Sequence, residues 1–329
     1  MLPTHIGGRD ILQSRKALIA ALDKHNGILL VRDSPVTDAS TMKETLSNEE
    51  DPLISSMSYT GGSNNRTALV DGVLDAGTEP HYLHIPEHSE MAYLDRFPSL
   101  ISFACVLPAT VSGGSTTVVE SAAVEGRLPA PMRAKLRTLG IEHVMYYGSE
   151  GVKTWQLAFS TSRPQDVEEY ARVRGWALRW TPKKTGVYLS YRRASFLQHP
   201  RTRGIVLSQT DLSGSFYGPR GQHRGWAPFA SMEFHRQPYS FRWGDGSEWT
   251  EEEKDSWGRA KEASLRRVEW QKGDLLLLDN LVAMHGRLPF EGDRKMAVML
   301  GDPYERVQPD RGGWRGGMWV DSLKPSTVL

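Results

Sequence analysis

The chain has 329 residues, with 40 basic and 39 acidic side chains and a formal net charge of +1. This balance lacks the basic footprint of a nucleic-acid or membrane-surface binder, so we expect a small-molecule partner, no nucleic acid and no membrane. The single cysteine, Cys105, excludes an internal disulfide. No apolar run reaches the ~18 residues of a membrane span, and the N-terminus lacks a signal peptide, which predicts a cytoplasmic protein.

The N-terminal part predicts a helix followed by a strand. Residues 9–27, RDILQSRKALIAALDKHNG, place apolar side chains at helical spacing and end at a glycine. Residues 28–33, ILLVRD, have the apolar run of a buried strand. Beyond residue 100 the pattern changes to short strand-like runs between Gly, Pro, Ser and Arg clusters: LISFACVL, STTVVES, WALRW, GVYLSYR and RGIVLS.

Two further helices interrupt these strands. Residues 163–175, RPQDVEEYARVRG, begin near a proline and end at a glycine, and residues 250–268 open with Thr250 and Glu253 in capping-box spacing. The buried strand GDLLLLDN follows at residues 273–280. Without internal repeats or long linkers, we expect one domain over residues 1–329, mainly β with flanking helices in a sandwich or barrel.

The segment EPHYLHIPEHSEMAYLDRFP, residues 79–98, is rich in potential metal ligands. His81, His84 and His88 would share one face of a helix, but Pro86 disfavours that helix. In an extended segment His88 and Glu90 point to the same side, so this pair is the better candidate. We expect structural or surface roles for the other two histidines.

A third ligand has to come from elsewhere in the chain, and His285, directly after GDLLLLDN, is the candidate. Two imidazoles and one carboxylate leave three coordination positions open and suit non-haem Fe(II) oxygenases. A zinc hydrolase with the same three ligands remains an alternative. So does a jelly-roll binding protein without turnover.

Two further features suggest an acidic cosubstrate. Arg294 follows His285 by nine residues, and Thr116 lies in the segment SGGSTTVVES. An arginine binds a carboxylate through two hydrogen bonds, and a hydroxyl can add a third. Together with a metal they would hold a 2-oxo dicarboxylic acid at both ends.

The sequence resembles a known family at this point. The segments PEHSEMAYLDRFPSLISFACVLPATVSGGSTTVVES and WQKGDLLLLDNLVAMHGRLPFEGDRKMAVML resemble the two signature blocks of the taurine dioxygenase and clavaminate synthase-like superfamily of Fe(II)/2-oxoglutarate-dependent oxygenases. The similarity runs from about residue 25 to 300 and leaves residues 301–329 as a C-terminal extension. It implies a double-stranded β-helix, a jelly-roll or cupin-like core with helices around it.

The resemblance also implies the roles of five site residues. His88, Glu90 and His285 match the iron ligands of the family. Thr116 and Arg294 match the pair that binds the distal carboxylate of 2-oxoglutarate.

Three other residues are weaker candidates for site roles. Arg287 is an alternative to Arg294 for the cofactor carboxylate. Trp155 lies where relatives place residues near the active site, although a tryptophan there also suits a core. Arg192 is a candidate for a substrate carboxylate, and an exposed strand end is the other interpretation.

The activity implied is that of a dioxygenase that uses Fe(II), 2-oxoglutarate and O2. It would oxidise an unactivated C–H bond of a small molecule and release succinate and CO2. The resemblance suggests an amino acid derivative or a natural-product intermediate, free or tethered to a carrier protein. Hydroxylation, desaturation and oxidative cyclisation are all compatible with it.

Overall fold

The structure is a computed structural model that describes residues 6–48, 50–59, 66–77, 79–149, 154–207, 239–307, 314–315 and 318–326. The strands of these residues, numbered in chain order, are β1 Ile6–Gly7, β2 Ile28–Val31, β3 Ala68–Val70, β4 Val73–Asp75, β5 Ile85–His88, β6 Arg96–Leu107, β7 Ser112–Gly113, β8 Thr116–Glu120, β9 Ile141–Gly148, β10 Ala177–Trp180, β11 Gly186–Arg193, β12 Phe196–Gln198, β13 Ile205–Leu207, β14 Tyr239–Trp243, β15 Arg266–Val268, β16 Leu275–Asp279, β17 Ala283–Arg287, β18 Phe290–Glu291, β19 Lys295–Arg306, β20 Trp314–Arg315, β21 Met318–Asp321 and β22 Leu323–Pro325.

Helices occur between these strands. The α-helices are α1 Arg15–Lys24, α2 Ala39–Leu46, α3 Ser121–Arg127, α4 Ala130–Thr138, α5 Trp155–Phe159, α6 Pro164–Val173 and α7 Glu251–Ser264, with 3-10 turns at Arg9–Leu12 and Pro182–Lys184. None of the helices in the described ranges is both long and apolar enough to cross a membrane.

Two sheets face each other and form the core of the molecule. The larger has the order β1-β2-β16-β6-β19-β4-β3, with β22 on β19, and the smaller has the order β15-β8-β17-β5. The space between them is filled by apolar side chains from both sheets, among them Phe97, Ile101, Val118, Leu276, Ala283 and Val298. This arrangement confirms the predicted jelly-roll core.

The apolar run of β16 is buried on both faces, which explains why it lacks strand alternation. Leu276 and Leu278 face the space between the sheets. Leu275 and Leu277 lie in a second core that includes side chains from α1 and α2. The helices therefore cover the outer face of the larger sheet.

The outer face of the smaller sheet is covered in the same way. Val119 of β8 and Met284 of β17 pack in a third core with the helices α3, α4 and α7. A separate sheet, β10-β11-β9-β14, adds an aromatic cluster together with α5 and α6.

The capping box predicted at Thr250 and Glu253 is confirmed, with reciprocal bonds at the start of α7. The predicted helix over residues 9–27 is instead a 3-10 turn and α1, because Ser14 caps α1 by accepting from the Ala17 N–H at 3.2 Å.

The C-terminal extension is partly built into the fold. The strand β21 pairs in parallel with β12, and β22 pairs with β19. A buried ion pair between Arg306 and Asp321 joins β19 to β21. The described part of the extension therefore packs on the domain.

Candidate active site

Cross-strand pairing brings the two candidate histidines together. His285 on β17 is the register partner of His88 on β5, and their ring centroids lie 4.6 Å apart. The His285 ring also lies against Phe103 of the larger sheet, with centroids 4.9 Å apart. Both imidazoles therefore lie between the two sheets, on the edge strand β5 of the smaller sheet and on its neighbour β17. The segment Ile85–His88 is a strand, in agreement with the extended conformation considered once Pro86 disfavoured a helix.

Glu90 follows β5 by two residues, and its backbone is held by a buried amide. The Glu90 N–H donates to Asn280 Oδ1 at 2.7 Å, while Asn280 Nδ2 donates to the carbonyl oxygens of Glu90 at 2.9 Å and Pro98 at 2.8 Å. Asn280 is the last letter of the GDLLLLDN run. Its role in holding Glu90 was not predicted from the sequence.

The three side chains form a cluster of convergent ligand atoms. Glu90 Oε2 lies 3.5 Å from His88 Nε2 and 3.7 Å from His285 Nε2. All three ligand atoms lie within 4.8 Å of one another. This donor set is the one that the sequence predicts for a non-haem Fe(II) site.

The hydrogen bonds of the cluster test whether a metal fits. His88 Nδ1 lies 2.8 Å from the Pro86 carbonyl oxygen, which can only accept, so Nδ1 carries the proton of the neutral ring. The lone pair of Nε2 is therefore left to face the Glu90 carboxylate. A metal ion between these two acceptors would satisfy both of them, so the residues fit a metal ion.

Burial and neighbouring charges keep Glu90 and His285 deprotonated. Burial by itself would raise the pKa of Glu90, but the cation of Arg66 and the two imidazoles hold that pKa well below its ordinary range. Burial, together with the nearby His88, lowers the pKa of His285 to about 3. A carboxylate and a neutral imidazole are the forms that bind a metal.

The predicted cofactor pair lies on neighbouring elements. Thr116 begins β8 and is buried, and Arg294 directly precedes β19. Arg294 Nε donates to the Gly114 carbonyl at 3.1 Å. Burial, with the cation of Arg287 beside it, lowers the pKa of Arg294 to about 10. Removing a cation from water in this way favours the binding of an anion.

The glycines of the SGGST segment make this approach of Arg294 feasible. Gly113 and Gly114 have φ values of 72° and 76°, in the left-handed region that favours glycine. A Cβ at Gly114 would lie 3.1 Å from both Cδ and Nε of Arg294. The segment is thus a glycine turn and also leaves room for the arginine.

Trp270 is a further residue at this site that the sequence interpretation missed. Its indole Nε1–H donates to Thr116 Oγ1 at 3.0 Å. Because an indole can only donate, it occupies an acceptor position of the hydroxyl and leaves the hydroxyl proton for another acceptor. The signal in the sequence was its place at the start of the second signature block, WQKGD.

Arg287, the alternative for the cofactor carboxylate, is engaged elsewhere. Its guanidinium donates to the carbonyl oxygens of Glu79 at 3.1 Å, Pro80 at 2.6 Å and Leu83 at 3.1 Å. These bonds fix the segment that precedes β5. The structure therefore gives Arg287 a structural task and favours Arg294 for the cofactor.

The two candidate substrate residues lie on the β9–β11 side of the molecule. Trp155 is buried in the aromatic cluster, where its Nε1–H donates to the Lys184 carbonyl at 3.0 Å. Arg192 is exposed on β11, opposite Glu142 of β9. Packing accounts for the position of Trp155, and exposure near the end of β11 accounts for that of Arg192. Their substrate roles therefore stay predictions.

The other two histidines of the 79–98 segment have the structural or surface positions that we expected. His81 is exposed and its ring contacts Phe290, with centroids 6.0 Å apart. His84 is buried, and its Nε2 lies 3.5 Å from Oε1 of Glu87. Glu87, which directly precedes His88 in the chain, is the centre of a buried polar network.

This network connects α7 with β5, the strand that carries His88. Lys261 Nζ donates to the Glu87 carbonyl at 2.9 Å and lies 3.2 Å from its carboxylate, and both side chains are buried. Thr117 Oγ1 donates to the same carboxylate at 2.8 Å. The Lys261 ammonium and these hydrogen bonds outweigh burial and hold the pKa of Glu87 well below its ordinary range.

A jelly roll with two histidines and one carboxylate between its sheets defines the class of non-haem iron enzymes with a facial triad. Comparison with known proteins identifies the family within that class. The family described as "Taurine catabolism dioxygenase TauD, TfdA family" matches residues 5–300. The chain belongs to this family, so it is an oxidoreductase, a dioxygenase whose cofactors are iron and 2-oxoglutarate.

Individual relatives agree with this assignment. The chain is 28% identical over 250 residues to the dapdiamide synthesis protein DdaC from Enterobacter agglomerans, covering 75% of this chain and 74% of that protein. It is 25% identical over 298 residues to a clavaminate synthase-like protein from Arabidopsis thaliana, covering 88% and 86%.

A solved structure shows the same fold. PvcB from Pseudomonas aeruginosa superposes with a TM-score of 0.53 at 16% identity, covering 88% of this chain and 80% of that chain. A second structure of PvcB, described as an Fe, alpha-ketoglutarate dependent oxygenase from an isonitrile synthetic pathway, gives a TM-score of 0.51 at 17% identity, covering 87% and 79%.

Proposed function

We propose that the protein oxidises an unactivated C–H bond of a small molecule, an amino acid derivative or a natural-product intermediate, with release of succinate and CO2. The outcome is hydroxylation, desaturation or oxidative cyclisation, and the substrate is free or tethered to a carrier protein. The observation that carries the proposal is the convergence of His88, Glu90 and His285 within 4.8 Å between the two sheets. The names of the relatives, a dapdiamide synthesis protein and an oxygenase of an isonitrile synthetic pathway, support the substrate class.

In this proposal His88, Glu90 and His285 hold Fe(II), and Arg294 and Thr116 bind the distal carboxylate of 2-oxoglutarate. When bound, Fe(II) and 2-oxoglutarate would activate O2, which is the oxidant for both 2-oxoglutarate and the C–H bond. The task of the protein is to fix the position of both cofactors and to exclude water. The burial of Glu90, His285 and Thr116, each about 5% exposed or less, supports such exclusion.

The roles of the metal ligands can be tested without knowledge of the substrate. Fe(II) and then 2-oxoglutarate are added anaerobically to metal-free protein, and the weak visible charge-transfer band of the chelated complex is recorded. We expect the band in the wild type and its loss in His88→Ala and in His285→Ala, both of them still folded. Absence of the band, with tight zinc binding, would instead favour the zinc hydrolase. Full 2-oxoglutarate decarboxylation by either variant would refute the ligand assignment.

The cofactor arginine has its own test. We expect Arg294→Ala to raise the 2-oxoglutarate concentration needed for half-saturation much more than it changes iron affinity, since it removes a charged partner of the distal carboxylate. The matched control is Arg192→Ala, which removes an exposed arginine. Unchanged 2-oxoglutarate dependence in Arg294→Ala would move this role to Arg287. Oxygen uptake with a panel of amino acids, their derivatives and carrier-bound forms then identifies the substrate.

A further inference from the structure

Arg66 places a fixed positive charge against the carboxylate of Glu90, one of the three candidate metal ligands. Its Nη2 donates to Glu90 Oε2 at 3.0 Å. The side chains are 11% and 5% exposed, so the ion pair is largely removed from water. The same oxygen atom faces both imidazole Nε2 atoms. The ring of Tyr59 lies against the guanidinium, with its centroid 5.2 Å from the Arg66 carbon Cζ.

We propose that Arg66 is a positioning residue that neutralises Glu90 in the metal-free site, opposes the metal ion, and thereby makes metal retention depend on 2-oxoglutarate. The inference rests on the proposed function, in which Glu90 is a ligand of Fe(II). It adds a residue outside the ligand set and assigns it an effect of definite sign on metal affinity.

The first step concerns the metal-free protein. A buried carboxylate without a cation is costly, because it loses its hydration and gains nothing in return. Arg66 supplies that cation, and the pair of Arg66 and Glu90 is neutral. The empty cluster is therefore stabilised by the arginine.

The second step concerns the metal ion. A divalent cation that binds Glu90 raises the charge of this neutral group to about +2, because Arg66 keeps its proton. Charges in a poorly hydrated site are weakly screened, so Arg66 and the metal repel each other strongly. Loss of Arg66 destabilises the empty site and removes this repulsion, and both changes tighten metal binding.

The third step concerns the cosubstrate. A 2-oxo acid that chelates the metal brings a carboxylate to the cluster and offsets part of the excess positive charge. Binding of 2-oxoglutarate therefore reduces the unfavourable effect of Arg66 on the metal. By linkage, metal and 2-oxoglutarate must strengthen each other's binding by the same factor, and Arg66 contributes to that factor.

The experiment is an anaerobic titration of full-length, metal-free protein with Mn(II), followed by the electron paramagnetic resonance signal of free Mn(II), with and without 2-oxoglutarate. We expect Arg66→Gln to bind Mn(II) about tenfold more tightly than the wild type without 2-oxoglutarate. We also expect 2-oxoglutarate to tighten Mn(II) binding less in Arg66→Gln than in the wild type. The control is Arg32→Gln, which breaks another largely buried ion pair, with Asp274 at side-chain exposures of 16% and 1%, and should leave Mn(II) affinity unchanged.

A second variant separates charge from packing. Arg66→Lys keeps the positive charge, so its Mn(II) affinity should stay within about threefold of the wild type. Weaker Mn(II) binding by Arg66→Gln would overturn the proposal, because the arginine would then support the ligand. An undiminished effect of 2-oxoglutarate in Arg66→Gln, or an affinity shift in Arg66→Lys as large as in Arg66→Gln, would also overturn it.

The thermal stability of the metal-free protein provides an independent readout. Arg66→Gln should lower its melting temperature, and this decrease should be much smaller in a Glu90→Gln background, where no carboxylate has to be neutralised. An equal decrease in both backgrounds would refute the role as counter-cation. Failure of the proposed function is distinguishable, because the wild type itself would then bind no Mn(II) or would not respond to 2-oxoglutarate.

Discussion

Replacing Trp270 with phenylalanine tests how the cosubstrate site is held. The indole N–H donates to Thr116 Oγ1 at 3.0 Å. In the proposed site this bond would leave the hydroxyl proton for the distal carboxylate of 2-oxoglutarate. Phenylalanine retains part of the packing but removes this donor, so the hydroxyl can turn away. One neutral hydrogen bond contributes about 0.5–1.5 kcal/mol, which corresponds to a roughly twofold to tenfold weaker binding of 2-oxoglutarate.

The assay is an anaerobic titration of the Fe(II) protein with 2-oxoglutarate, followed by the charge-transfer band. A double-mutant cycle with Thr116→Val isolates the interaction, because valine removes the hydroxyl through which Trp270 acts. We expect Trp270→Phe to weaken 2-oxoglutarate binding in the wild type and to have almost no further effect in Thr116→Val. Equal weakening in both backgrounds would refute the hydroxyl mechanism and leave only packing.

Two other substitutions probe the framework of the site and the pH dependence of the fold. An added Cβ in Gly286→Ala would lie 2.4 Å from the Ile85 carbonyl oxygen. We therefore expect β5 and β17, the strands that carry His88 and His285, to move apart and Mn(II) affinity to fall about tenfold. The control is Gly258→Ala, whose Cβ meets nothing within 4 Å, and equal Mn(II) affinities of the two variants would contradict the expectation. Burial, with the cation of Arg193 nearby, lowers the pKa of His143 from 6.5 to about 3. The unfolded chain therefore binds a proton between these pH values that the folded chain does not, and unfolding free energy should fall by up to ~1.4 kcal/mol per pH unit below pH 6.5. Denaturant titrations of His143→Phe should show a weaker decline over this range, and an unchanged decline would refute the assignment.

Local patterns in the sequence indicated the three candidate metal ligands, and the family resemblance supported them. Pro86 predicted an extended segment, and the alternation of a strand then placed His88 and Glu90 on one side. The run GDLLLLDN predicted a buried strand before His285, and the structure confirms this strand as β16, although His285 itself lies on the next strand, β17, in the smaller sheet. Spacing along a strand fixes side-chain direction before any tertiary contact is known. The strand β5 ends at His88, however, and Glu90 lies in the turn after it, where Asn280 holds its backbone.

Other parts of the fold could not be predicted in this way. The helix α2 and the strand β9, each of 8 residues, were missed, since short segments acquire their secondary structure largely from packing. Trp155 was placed near the active site by resemblance, and the structure shows it packed in an aromatic cluster. Resemblance conveys the position of a residue in the chain, whereas packing decides what its side chain contacts.

The sequence by itself indicated a sandwich or barrel and, through the extended motifs of the family resemblance, the jelly-roll class, the candidate ligands His88, Glu90 and His285, and the candidate cofactor pair. Only the tertiary structure decided that Arg66 pairs with Glu90 and that Trp270 donates a hydrogen bond to Thr116. Arg66 lies 24 residues from Glu90, and Trp270 lies 154 residues from Thr116. Such contacts depend on how two sheets pack and which strands become neighbours, and no local pattern contains that information.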